Sequence, residues 1–163
     1  MAQQKLRIRL CLAVLLFATP VSALDVGSRM PEIGLQTLDG SSVTAASLKG
    51  KVVLVDFWAT WCGPCKAEMP VLQQLHARYQ KQGLVVVGIS VDREKAALAP
   101  YLKNLGVSFP VAHDPQHQVA ERFEPQKMPS SFIVDRQGVV RFIHAGFHPG
   151  DAATFEKEIK GLL

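Results

Sequence analysis

The chain has 163 residues, 48% hydrophobic and 20% charged, which supplies one folded core and excludes a disordered chain. Its formal charge of +4 has a local source, because without Lys5, Arg7 and Arg9 the count is 15 basic against 14 acidic side chains. A nearly neutral remainder with no basic stripe excludes a nucleic-acid binder.

In chain order, Met1 to Arg9 are polar and basic, Leu10 to Ala18 are apolar, and Pro20 precedes Val21-Ser22-Ala23. This order predicts a secretory signal peptide over residues 1–23, with an uncleaved membrane anchor as the alternative. The apolar run is shorter than the roughly 20 residues of a bilayer span. Either way, the domain over residues 24–163 is expected to be exported, to the periplasm if the source is bacterial. Cys11 belongs to the apolar run, so the domain keeps only Cys62 and Cys65. A pair so close closes a loop too small to stabilise the fold much. Reactivity, not scaffolding, is the expected role.

Leu35 to Thr44 reads as a hairpin turning at Asp39-Gly40. Lys51 to Trp58 is a nearly continuous valine-rich run, the pattern of a strand buried on both faces. Helical spacing follows Cys62 through Met69, Leu72, Leu75 and Tyr79; Pro70 is expected to kink this helix and Gly83 to stop it. Leu84 to Val91 is a second buried strand. Arg93 to Asn104 is a helix interrupted at Pro100, Phe109 to Ala112 a short strand, and Pro115 to Phe123 a short helix. Ser130 to Val134 and Val139 to His144 form a last hairpin, and Asp151 to Leu163 an amphipathic closing helix. Such an order calls for an α/β fold, with a central mixed sheet and helices on both faces.

Trp61-Cys62-Gly63-Pro64-Cys65 joins the first buried strand to its helix. Cys62 then stands at a helix N-terminus, where free N–H groups and the helix dipole favour an anion. A thiolate is such an anion, and its pKa falls from ~8.5 to between ~3.5 and ~7 in sites of this kind. Cys65, one turn on, can attack the mixed disulfide that Cys62 forms and so release the substrate. A zinc half-site is the competing reading, but it lacks the second ligand pair that zinc requires.

These residues resemble the thioredoxin superfamily, and its exported TlpA/ResA-like branch in particular. The resemblance rests on Val55 to Pro70, on the Leu38-Asp39-Gly40 hairpin before Leu48 to Lys51, on Met128 to Asp135, and on Arg141 to Phe147. It covers about residues 30–163. It implies a thioredoxin-like fold with an N-terminal hairpin extension and a cis Met128-Pro129 bond before the C-terminal hairpin. It also implies that Trp61, Gly63, Pro64, Met128 and Pro129 contact substrate, and that the Met128 backbone pairs with an extended client segment. Asp56 matches the buried aspartate of thioredoxins and Glu68 the active-site glutamate of ResA-like members, so both are candidate proton acceptors for Cys65. Trp58 reads as packing, Lys66 as a solvated first-turn residue, and His144 and His148 as surface or packing residues.

The resemblance implies an extracytoplasmic thiol-disulfide oxidoreductase, mainly a disulfide reductase. Its partners would be protein disulfides, with cytochrome c maturation or oxidase copper-site assembly as contexts, and a membrane electron donor of the thiol-disulfide interchange type. Gly63-Pro64 matches reducing thioredoxins, whereas Ser130 departs from the acidic residue that cytochrome-maturation reductases often carry there. A monomer without cofactor or metal is expected. Two alternatives stand beside this reading. One is a Cu(I)-handling module on the two thiolates, although copper-delivering relatives space their cysteines by three residues and add a histidine. The other is a thiol peroxidase, although Ala59 stands where peroxiredoxins keep Thr or Ser.

Overall fold

The structure, a computed structural model, describes residues 24–163; the predicted signal segment and Cys11 lie outside the described residues. Two short strands, β1 (Leu35–Gln36) and β2 (Ser42–Val43), form the expected hairpin, and α1 (Ala45–Leu48) follows. The sequence reading did not anticipate α1. A capping box starts it, with Thr44 Oγ1 accepting from the Ser47 N–H and Ser47 Oγ accepting from the Thr44 N–H. The main chain of the fold then runs β3 (Val52–Trp58), α2 (Gly63–Tyr79), β4 (Leu84–Ser90), α3 (Leu98–Asn104), β5 (Val111–His113), α4 (Ala120–Phe123), β6 (Ser130–Val134), β7 (Val140–Ala145) and α5 (Asp151–Leu162).

The five longer strands form one mixed sheet in the order β5-β4-β3-β6-β7. Strands β3, β4 and β5 are parallel, β6 runs antiparallel to β3, and β7 runs antiparallel to β6. All seven residues of β3 are buried, as a central strand covered on both faces requires. Alternation divides them. Val52, Leu54 and Trp58 face one core with Met69 and Leu72 of α2, Leu98 of α3 and Phe155 of α5. Val53, Val55 and Phe57 face the other, with Leu48, Phe123 and Phe132. There Phe57, Phe123 and Phe132 pack ring to ring at 5.2 to 5.8 Å.

Three expectations are corrected. Pro100 does not interrupt a helix. A 3-10 turn over Lys95–Ala97 leads into α3, whose first turn contains Pro100, where a missing N–H leaves no hydrogen bond unmade. Of Pro115 to Phe123 only Ala120–Phe123 is helical, because the buried Asp114 carboxylate accepts from the Val119 and Ala120 N–H groups, each at 2.9 Å, and starts the helix there. The strand expected from Phe109 begins at Val111, where its ladder with Gly88 starts. Helix α2 runs on through Pro70, which lies on its exposed side, and Gly83 ends the following turn at φ 105°.

Gly88, opposite both Asp56 and Val111, is a close-approach position. A Cβ there would lie 3.1 Å from Trp58 Nε1, 3.1 Å from Phe109 Cε2 and 3.3 Å from Val111 Cγ2. Gly88→Ala is therefore expected to lower stability by about 1–3 kcal/mol through overpacking. Urea denaturation checks this, and an unchanged midpoint would show that the sheet yields at no cost.

Candidate active site

Cys62 and Cys65 are joined in a disulfide with 5.3 Å between their Cα atoms. Cys62 is the N-cap of α2, and its sulfur accepts from the Cys65 N–H at 3.2 Å. Residues Gly63 and Pro64 open the helix and are exposed. Both cysteines are shielded, at 6% and 1% exposure, but Trp61 beside them is 69% exposed. The accessible surface beside the disulfide is thus the Trp61 indole and the edge of Cys62, with Cys65 behind them. When the disulfide opens, the same N–H group and the helix dipole act on the Cys62 thiolate.

Behind the cysteines lies a buried acid pair. Glu68 follows Cys65 by one turn, which places both on the inner face of α2. Asp56 has the parity of Leu54 and Trp58, so it points at the same helix; each carboxyl is 1% exposed. Ser131, Asp56's partner across β6, joins them, with Oγ 3.2 Å from Asp56 Oδ1 and 2.9 Å from Glu68 Oε1. Asp56 Oδ2 and Glu68 Oε2 are buried with no protein partner.

The loop before the cysteines is tied down from β4. Asp92 is buried and accepts from the Thr60 N–H at 3.0 Å, from Thr60 Oγ1 at 2.7 Å and from Ser90 Oγ at 2.9 Å. The Met128-Pro129 bond is cis. Pro129 is buried, Met128 is half-buried against both cores, and the Pro129 carbonyl accepts from the Gly146 N–H at 2.7 Å. Trp58 is fully buried and stacks on Tyr101, and Lys66 is exposed. His144 packs on Phe155 and sits 2.7 Å from Glu158, whereas His148 is exposed.

The AhpC/TSA family matches residues 26–143. The chain belongs to this family. The thiol-disulfide oxidoreductase ResA of Geobacillus thermodenitrificans is 35% identical over 130 residues, 80% of this chain and 75% of that protein. ResA of Bacillus subtilis is 33% identical over 118 residues, 72% of this chain and 66% of its own length. A structure from Chlorobium tepidum, described as a thiol:disulfide interchange protein DsbE, superposes with a TM-score of 0.82 at 35% identity, covering 86% of this chain and 99% of that one. Thiol–disulfide oxidoreduction is accordingly the chemistry of this AhpC/TSA member, on a thioredoxin-like fold.

In this oxidoreductase both acids are held above the ordinary carboxylate range. Burial pushes Glu68 up to about 7, opposed by the hydrogen bond from Ser131 and reinforced by the negative charge of Asp151. Burial, then the Glu68 charge, hold Asp56 well above the usual carboxylate range. Two of the polar residues around the site were not foreseen. Ser131 could have been found from its parity with Ile133 on a strand opposite Asp56. Asp92, just past the end of β4, carries no local signal, because its partner Thr60 is 32 residues away.

A carboxyl whose folded pKa lies above its unfolded value binds more protons in the folded state between the two. The stability that Glu68 contributes is therefore full below about 4.5 and is lost as pH rises through about 7. For Glu68 alone the loss is on the order of 3 kcal/mol. Glu68→Gln is expected to flatten this slope in urea denaturation of the oxidised protein across that range. A variant with the wild-type slope would refute a burial-raised Glu68.

Proposed function

We propose that this protein is an extracytoplasmic disulfide reductase that opens protein disulfides. The observation that carries the reading is the asymmetry of the cysteine pair, with Cys62 at the capped helix terminus beside exposed Trp61 and Cys65 buried over Glu68. In the reduced enzyme the Cys62 thiolate attacks one sulfur of a client disulfide. A mixed disulfide forms and the client's other sulfur leaves as a thiolate. Cys65 then gives its proton to the Glu68–Asp56 pair and attacks Cys62 Sγ. The Cys62–Cys65 bond forms and the client's second thiol is released, so the client gains two electrons and the enzyme loses them. Trp61, Gly63 and Pro64 on the exposed rim, with Met128 and Pro129, form the client-binding surface, where an extended client segment pairs with the Met128 backbone.

An oxidising compartment would require a membrane electron donor of the thiol-disulfide interchange type to restore the dithiol. The domain over residues 24–163 would work there as a monomer, after export by residues 1–23. Clients in cytochrome c maturation or oxidase copper-site assembly fit the relatives' thiol-disulfide exchange, and Ser130 favours a broader client range than apocytochrome c alone. A peroxidase reading draws on the AhpC/TSA match. Against it stands Ala59, buried three residues before Cys62, where a peroxide site would place a hydroxyl.

Cys62→Ala is expected to reduce insulin disulfides only at the uncatalysed rate, and Cys65→Ser to accumulate a mixed disulfide visible by mass spectrometry. Full insulin reduction by Cys62→Ala would sink the proposal. Rapid hydrogen peroxide consumption with a thiol regenerating system would favour the peroxidase.

A further inference from the structure

Ser131 carries one hydroxyl proton, and its Oγ touches two carboxyls. If both carboxyls were ionised, only one contact could be a hydrogen bond. The other would set two oxygen lone pairs against each other, inside the protein and between like charges. Both contacts become hydrogen bonds only when one carboxyl keeps its proton and donates to Ser131 Oγ, while Ser131 donates to the other. The shorter contact, 2.9 Å to Glu68 against 3.2 Å to Asp56, marks Glu68 as the ionised acceptor.

We infer that Ser131 is a positioning residue that parks one proton on Asp56 and so keeps Glu68 ionised as the acceptor for Cys65. The inference rests on reading the acid pair as the proton acceptor. In the resting pair the Asp56 O–H donates to Ser131 Oγ, and the Ser131 O–H donates to Glu68 Oε1. A concerted shift can reverse the assignment. The Asp56 O–H bond breaks as a new one forms on Ser131, the original Ser131 O–H breaks as one forms on Glu68, and the hydroxyl is regenerated. During turnover Cys65 Sγ–H breaks and its proton passes to Glu68. Cys65 then attacks Cys62, and the departing client thiolate takes the proton, which leaves Glu68 ionised again.

The charged surroundings are few. Asp151 at the start of α5 acts on Glu68 through its negative charge. On β7, His144 is the partner of Ser131 and is engaged by Glu158 of α5. On β4, Asp56's partner Gly88 brings no charge. Ser131 itself is 1% exposed, so bulk water does not replace its hydroxyl.

The test is the pH profile of client release from a preformed mixed disulfide, measured by stopped flow for wild type, Ser131→Ala, Ser131→Thr, Glu68→Gln and Asp56→Asn. Ser131→Ala is expected to slow release about tenfold and to move the pH midpoint by about one unit, while Ser131→Thr restores both by keeping the hydroxyl. A Ser131→Ala profile that overlays wild type, or Ala and Thr variants that move together, overturns the inference. Wild-type profiles in both Glu68→Gln and Asp56→Asn would instead remove the acid-pair reading beneath it. Should Ser131→Ala not fold, infrared spectra at slightly alkaline pH decide. A protonated carboxyl band lost in Asp56→Asn but kept in Glu68→Gln supports the assignment; the reverse overturns it.

Discussion

A strand with no solvent-facing side must be paired along both edges and covered on both faces, and β3 meets all four demands. Its edges are taken by β4 and β6, and its faces by α2 and by the Phe57–Phe123–Phe132 cluster. The position of every functional group follows from this. The strand ends at Trp58, so the loop that carries the cysteines leaves from a rigid point and enters α2 above the same core. Because every side chain of β3 is buried, the one carboxyl it holds takes its partners from within the protein. These are Ser131 across the sheet and, through it, Glu68 from the helix.

The acid pair sets stability against reactivity. Burying two carboxyls costs several kcal/mol for each ionised group, and an apolar pair of similar volume would pack there at no such cost. In exchange the site holds one carboxyl, Glu68, that titrates near neutral pH and a second, Asp56, held well above the usual carboxylate range, both on the inner side of the cysteine pair. The penalty is tolerable because it falls on a sheet with seven buried positions in β3 alone. It is also reduced whenever the pair holds a proton. Raised carboxyl pKa values and a shielded thiol are therefore two consequences of one choice, to place the second cysteine over the core instead of at the surface.

The first cysteine is treated in the opposite way. It caps the helix, lies next to an indole that is 69% exposed, and hangs from a loop whose Thr60 is held by Asp92 through both backbone and hydroxyl. That anchor uses the end of β4, so the reactive turn is fixed from two neighbouring strands at once. A loop held this firmly keeps the Cys62 sulfur in one place at the helix start. Around it the exposed rim is formed by Trp61, Gly63 and Pro64.

Much of this is legible in the amino-acid order, because its signals are local. The valine-rich run of β3, the helical spacing after Cys62, the turn residues and the cysteine pair each need only a few neighbours to be read, since periodicity and turn chemistry act over one or two turns of chain. The breaks at Pro100 and around Pro115 were misplaced because a proline excludes conformations without choosing one; the Asp114 side chain decided where α4 begins. Asp56 and Glu68 were visible as acids in apolar settings, but not as a pair on one hydroxyl. By itself, then, the sequence determined the sheet, the helix beneath the cysteines and the place of the disulfide-capable cysteine pair at its start. Only the tertiary structure decided that Ser131 stands between the two acids and that Asp92 holds Thr60. The physical reason is register: strands distant in the chain pair side chain to side chain, and a hydrogen bond of about 3 Å is set by that pairing, not by any local pattern.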